Sequence, residues 1–161
     1  MIEILWLNER MLHCAELAQW IHAQFPYEFR EQALGNWQAE LASGQLDGSW
    51  QSLIAVEGEH LLGSASLARD DLPSRPELSP WLACVYVRPE CRGQGLAERL
   101  IEAICARARD LGHDRLYLHT HDRADYYARR GWQALEDFQA YGKSHRLMEL
   151  ALARPGAPRN G

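Results

Sequence analysis

The residues with the most chemical promise lie between 87 and 97. The segment Val87-Arg88-Pro89-Glu90-Cys91-Arg92-Gly93-Gln94-Gly95-Leu96-Ala97 joins an apolar run to a strongly amphipathic one. Pro89 breaks a strand ladder, two glycines follow, and helical periodicity then begins. The backbone N–H groups of Arg92, Gly93, Gln94, Gly95 and Leu96 would stand in succession at a helix start, where they have no partner inside the helix. The helix dipole adds about half a positive charge there. Such a cradle suits a phosphate or diphosphate. Glycine permits both close backbone approach and a positive φ. A dinucleotide fingerprint would need a third glycine where Glu98 stands, and an acidic residue after a following strand. A nucleotide P-loop would need Gly-Lys-Ser/Thr, which is absent. A glycine turn with no ligand stays open on these residues alone.

Other candidates are weaker. His119 and His121 share one face if their strand continues, and a neutral imidazole there could take up a proton. The residues read first as exposed strand-end histidines. No third ligand for a zinc ion is evident, so no metal is expected. Cys14, Cys84, Cys91 and Cys105 lack C-x-x-C pairing and read as reduced thiols of a cytoplasmic protein. Asp70, Asp71 and Glu77 could meet a cationic substrate, but loop carboxylates are ordinarily solvated, and that is the expectation here. Asp122 and Asp125 fit a helix N-terminus. Trp20, Phe25, Trp37 and Trp50 fit a core.

These groups must be positioned by one alternating α/β unit. The chain has 161 residues, 47% of them hydrophobic and 24% charged, with net charge −5. That length suits one domain, placed at residues 1–153. The Pro/Gly-rich tail 154–161 is expected to be disordered. The acidic balance argues against nucleic-acid binding. No apolar run approaches the ~20 residues that span a bilayer, so no membrane is expected. The opening MIEILWLNER is not a signal peptide.

Residues 2–6 read as a strand. Asn8 would cap a helix over 9–25 carrying Leu12, Leu17, Trp20, Ile21 and Phe25 on one stripe. A shorter helix follows over 31–41, then a hairpin from 52–56 and 61–68. Residues 70–80 form a loop, and 81–87 a strand buried on both faces. The helix over 95–111 has an apolar stripe, acidic residues early, basic residues late, and Gly112 at its stop. A strand at 115–120, a short helix at 123–130 stopped by Gly131, and strands at 132–138 and 145–151 close the unit.

Arg92-Gly93-Gln94-Gly95-Leu96-Ala97 resembles the R/Q-x-x-G-x-G/A signature of the GCN5-related N-acetyltransferase (GNAT) superfamily. Tyr126-Tyr127-Ala128-Arg129-Arg130-Gly131-Trp132 resembles its Y-x-x-x-G-F segment. The element order matches over about residues 1–152. Cys91 departs from a common aromatic, and Thr120 from a common asparagine. The resemblance implies a mixed α+β fold. Its central sheet, mostly antiparallel, has six to seven strands and a splay between the fourth and fifth, with about four helices. It implies acetyl-CoA as cosubstrate, held by Val85, Tyr86, Val87, Arg92 through Ala97, and Tyr127. By resemblance Tyr127 is the general acid toward the departing thiolate, and backbone N–H groups of Val85 and Val87 are oxyanion donors. His119 is the candidate base. The acceptor would be a primary amine of a small molecule or peptide; a homodimer is left open. The rival reading is a module that binds CoA without turnover. A toxin acylating aminoacyl-tRNA is disfavoured by the acidic charge.

Overall fold

The computed structural model describes residues 1–25 and 32–152. The expected disordered tail 154–161 and the start of the expected second helix lie outside the described residues. Strands β1 (Ile2–Trp6), β2 (Trp50–Glu57), β3 (His60–Ala68), β4 (Trp81–Val87), β5 (Arg115–Thr120), β6 (Gln133–Ala140) and β7 (Lys143–Ala151) form one seven-stranded sheet. Its order is β1-β2-β3-β4-β5-β7-β6. Every neighbouring pair is antiparallel except β4 and β5, which are parallel. Helices α1 (Cys14–Gln24), α2 (Leu34–Asp47), α3 (Leu96–Asp110) and α4 (Ala124–Ala128) complete the fold. The mixed sheet, the strand count and the helix count agree with the expected architecture.

Helices cover both faces of the sheet. Leu53 and Ala55 of β2 pack with Leu100, Ile104 and Ala108 of α3. Ile54 and Val56, which point the other way by strand alternation, pack with Leu17 and Ile21 of α1 and with Trp37 and Leu41 of α2. This two-sided burial explains the unbroken apolar run Leu-Ile-Ala-Val.

Element boundaries moved where tertiary contacts outweigh local pattern. The first helix does not start at Glu9. Two 3₁₀ turns, Leu7–Glu9 and Met11–His13, precede α1. Arg10, between them, has φ −144° and ψ 61°, outside the helical region. Asn8 therefore sits inside a turn instead of capping, and Leu12 is 73% exposed rather than part of the apolar stripe. The second helix runs past Leu41 to Asp47 and ends at Gly48, whose φ of +79° makes it a left-handed stop. Gln45, in the added turn, is buried and accepts from the Ser52 N–H at 2.9 Å. The Ser52 hydroxyl in turn lies 2.8 Å from that of Ser66. This buried polar chain ties α2 to β2 and β3.

Gly44 lies where α2 meets the start of β2. A Cβ added there would stand 2.6 Å from Trp50 Cβ. Both partners belong to ordered elements, so the overlap cannot be relieved by a loose side chain. Gly44→Ala is expected to destabilise the fold by about 1–3 kcal/mol, as overpacking does, despite alanine's better helix propensity. Denaturant melts of the two proteins check this.

Candidate active site

The parallel pair β4–β5 is joined at one register position, Trp81 opposite Tyr117. The Tyr117 N–H donates to Pro80 C=O at 3.0 Å beside it. Beyond that point the strands diverge. A cavity of about 460 Å³ opens between them, lined by residues 82–87 on one side and 118–123 on the other. The run 81–87 is therefore not buried on both faces throughout. Trp81, Leu82, Ala83 and Val87 are buried, while Cys84, Val85 and Tyr86 are partly open.

The β4 backbone is irregular at the divergence. Cys84 has φ +51°, rare for a residue with a side chain. The β3–β4 register shifts there, with Ser66 opposite Ala83 but Ser64 opposite Tyr86. The extra residue is a β-bulge, which re-aims the strand. The Arg88 N–H bonds to Leu62 C=O at 2.9 Å. By antiparallel alternation, Val87, opposite Gly63, turns its own N–H and C=O away from β3, toward the cavity.

The glycine turn sits at the cavity mouth. Gly93 and Gly95 have φ +80° and +76°. A Cβ on either would meet no protein atom within 4 Å. Backbone conformation, not protein crowding, therefore calls for glycine, and the space beside them stays accessible. Gly95 caps α3, and the first intrahelical bond runs from Arg99 N–H to Gly95 C=O at 3.2 Å. The N–H groups of Leu96 and Ala97 thus have no helical acceptor.

Arg92 has partners within the protein. Its N–H already donates to Pro89 C=O at 3.3 Å. Its guanidinium Nε donates to Val87 C=O at 2.9 Å and lies 5.7 Å from the Tyr86 ring centroid. Arg92 braces the turn against the end of β4, and the donor row begins at Gly93. Gln94 is exposed and lies outside the cavity lining. Val85, Tyr86, Val87, Arg92, Gly93, Gly95, Leu96, Ala97, His119 and Tyr127 all line it.

Glu98, on the first turn of α3, holds the adjoining wall together. Its own amide keeps its carboxyl below the usual range, with help from Arg130 and Tyr126. Arg130 Nη2 is 2.6 Å from Glu98 Oε1, and its guanidinium lies 3.6 Å from the Tyr126 ring centroid. That contact fastens α4 to α3. Tyr127, the next residue, is 8% exposed. Its ring meets Trp132 and Tyr126 edge to face, with centroids 5.8 and 5.1 Å apart. Burial, and then the neighbouring Tyr126, push its phenol well above the ordinary value. The Tyr127 phenol therefore stays protonated at neutral pH. Gly131, at φ +94°, turns the chain so that Trp132 N–H reaches Tyr127 C=O at 3.1 Å.

The other end of the cavity holds a polar group that the sequence only half disclosed. His119 is not an exposed strand-end histidine: its side chain is 4% exposed. Its Nε2 lies 3.1 Å from Asp71 Oδ2, and its Nδ1 lies 3.2 Å from His145 Nδ1. His121 lines the cavity as well, with its ring 5.9 Å from that of His145. Asp71, expected to be a solvated loop carboxylate, has a side chain only 16% exposed. Burial raises its pKa, and His119 opposes the rise. His145 was missed altogether. Its one signal was strand alternation, which puts it on the same face of β7 as Leu147, the residue opposite His119.

The profile of the Acetyltransferase (GNAT) family matches residues 14–150, and the chain belongs to that family. The chain is 39% identical over 70 residues to mouse (Mus musculus) N-alpha-acetyltransferase 80, a stretch that is 44% of this chain and 22% of the mouse protein. The match therefore spans under a quarter of that relative. Among solved structures, yncA from Salmonella typhimurium, determined with its cofactor acetyl-CoA, superposes at TM-score 0.74 with 20% identity. The alignment covers 100% of this chain and 99% of that one. Aminoglycoside 6'-acetyltransferase type Ii superposes at TM-score 0.71 with 17% identity, covering 96% and 99% of the two chains. Both share the fold.

His145 gives a pH signature. Burial first, then His119 and His121, lower its pKa from the ordinary 6.5. The unfolded chain then binds the proton more readily, so the neutral ring's contribution is intact above about pH 6.5 and is lost as pH falls toward the depressed folded value. The wild-type melting temperature should fall more steeply from pH 7.5 to 5 than that of His145→Gln. Thermal melts across that range check it.

Proposed function

We propose that this chain transfers the acetyl group of acetyl-CoA directly to the nitrogen of a primary amine, on a small molecule or a peptide. The observation that carries the reading is the pairing of a splayed, bulged β4 with a glycine turn whose N–H groups have no acceptor in the helix. That pairing provides an extended backbone edge beside an anion cradle, which suits a long cosubstrate ending in a diphosphate. The amides of Gly93, Gly95, Leu96 and Ala97 would hold the diphosphate. The free edge of β4 would run along the pantetheine arm. Bound there, acetyl-CoA supplies a thioester carbonyl and a thiolate leaving group.

The chain's own residues then do three things. The Val87 N–H faces the divergence and is the donor for negative charge developing on the carbonyl oxygen. Tyr127 keeps a phenolic proton for the departing sulfur. The polar group at the far end, Asp71 with His119, receives the proton that an amine must lose before it attacks. For an alkylamine of pKa ~10.4, that loss costs roughly 4–5 kcal/mol at neutral pH. The acidic net charge and the partly buried carboxylate at the acceptor end favour a cationic amine over a nucleic acid.

Two variants test the two halves of the reading. Gly95→Trp combines a strained φ with a bulky ring in the cradle and should abolish acetyl-CoA binding in calorimetry; tight binding would contradict the cradle. Tyr127→Phe should lower turnover about 10²-fold or more, with acetyl-CoA affinity within a few-fold of wild type. Thiol release measured over a panel of amines reads that loss, and an unchanged rate removes the tyrosine from the chemistry. The same panel separates an enzyme from a module that only binds CoA, which would be stabilised by the ligand yet release no thiol.

A further inference from the structure

We propose that Asp71 is the catalytic proton acceptor of this site, that His119 is the residue positioning it, and that the acceptor substrate therefore arrives as an alkylammonium ion. The inference rests on the acetyl-transfer reading and deepens it.

The geometry of His119 leads there. Both of its ring nitrogens face protein partners, Nε2 toward Asp71 Oδ2 at 3.1 Å and Nδ1 toward His145 Nδ1 at 3.2 Å. The ring is also wedged between Trp81 and Phe138, with centroids 6.0 and 6.1 Å away in edge-to-face contact. It cannot offer a nitrogen to a substrate without leaving this setting. Asp71 is placed otherwise. It lines the cavity, and its side chain is the more exposed of the pair, 16% against 4%. One oxygen is held by His119, and a carboxylate has a second one to offer.

One set of tautomers consistent with these contacts has His119 donating to Asp71. His145 is kept neutral by burial and by its histidine neighbours. Its Nδ1–H can donate to His119 Nδ1, which leaves His119 Nε2–H to donate to Asp71 Oδ2. The carboxylate is then oriented by the imidazole. Burial makes Asp71 a stronger base than an exposed aspartate. An ammonium entering the cavity meets an anion in a partly desolvated place, where their attraction is strong.

The balance of the step is simple. The ammonium N–H bond breaks, and its proton goes to a carboxylate oxygen of Asp71. The neutral nitrogen forms the C–N bond as the C–S bond breaks. The proton that nitrogen then sheds passes, through solvent, to the Tyr127 phenolate left when the phenol gives its proton to sulfur. One proton per turnover remains on Asp71 and passes to solvent. No oxidant or reductant is involved.

The test compares wild type, Asp71→Asn and His119→Gln against two acceptor series on the same carbon skeletons. One series is alkylamines, protonated at pH 7; the other is alkoxyamines, whose nitrogen is already neutral. Asp71→Asn should lose about 10²-fold or more in kcat/KM with alkylamines. It should stay within a few-fold of wild type with alkoxyamines, with acetyl-CoA affinity unchanged. His119→Gln should show the same selectivity with a smaller loss. Equal losses in both series would make Asp71 merely structural and overturn the proposal. So would full activity of Asp71→Asn with alkylamines. Asp71→Ser gives the same readout should the asparagine variant not fold. Absence of thiol release by wild type in both series would bring down the acetyl-transfer reading itself, and that is seen before any variant is made.

Discussion

Everything at the site depends on a failure of strand pairing. β4 and β5 lie side by side in one sheet but are joined at a single register position, Trp81 with Tyr117. A backbone polar group without a partner is costly when buried, so a sheet does not open in its middle without cause. Here the opening is built in by the bulge at Cys84, with its positive φ. It is also held from outside. Arg88 reaches Glu16 on α1 at 3.1 Å and lies 4.8 Å from the Trp20 ring centroid. Arg92 folds back onto Val87 C=O. The end of β4 is braced from two sides while the edge facing β5 stays available.

The two walls of the opening differ in chemistry, and burial produces the difference. On one side Tyr127 is packed among aromatic rings, so its phenol keeps its proton. At the far end Asp71 and His119 are withdrawn from solvent beside His145 and are compensated by one another. A buried polar network is tolerated only where its members satisfy each other. The loop that delivers Asp71 is itself secured. Leu72 is buried, Trp81 Nε1 donates to Leu78 C=O at 2.9 Å, and Arg75 pairs with Glu77 and with Glu136 of β6. Tyr127 and the Asp71–His119 pair thus line one cavity although elements far apart in sequence deliver them.

How much of this was legible in the sequence follows from the range of each signal. The strand 115–120, the amphipathic helix after the glycine turn and its stop at Gly112 were read nearly to the residue, because period, caps and charge order all agree there. The glycine turn was legible because positive φ leaves a compositional mark. Asp71 reads from sequence as a solvated loop carboxylate and His145 carries no local signal of the cluster, because nothing local records that residues 71, 119 and 145 converge. The sequence does not show that the Arg92 amide reaches Pro89 C=O, a bond set by the turn geometry. The extension of α2 to Asp47 likewise depends on Gln45 meeting Ser52, a contact across a loop.

The most direct measurement is a two-dimensional amide spectrum of the isotopically labelled protein titrated with acetyl-CoA. The account predicts saturable shifts concentrated at Gly93, Gly95, Leu96, Ala97 and Val87, with little change on β1 or β6. Saturable binding whose shifts lie elsewhere and leave those five amides unmoved would contradict it.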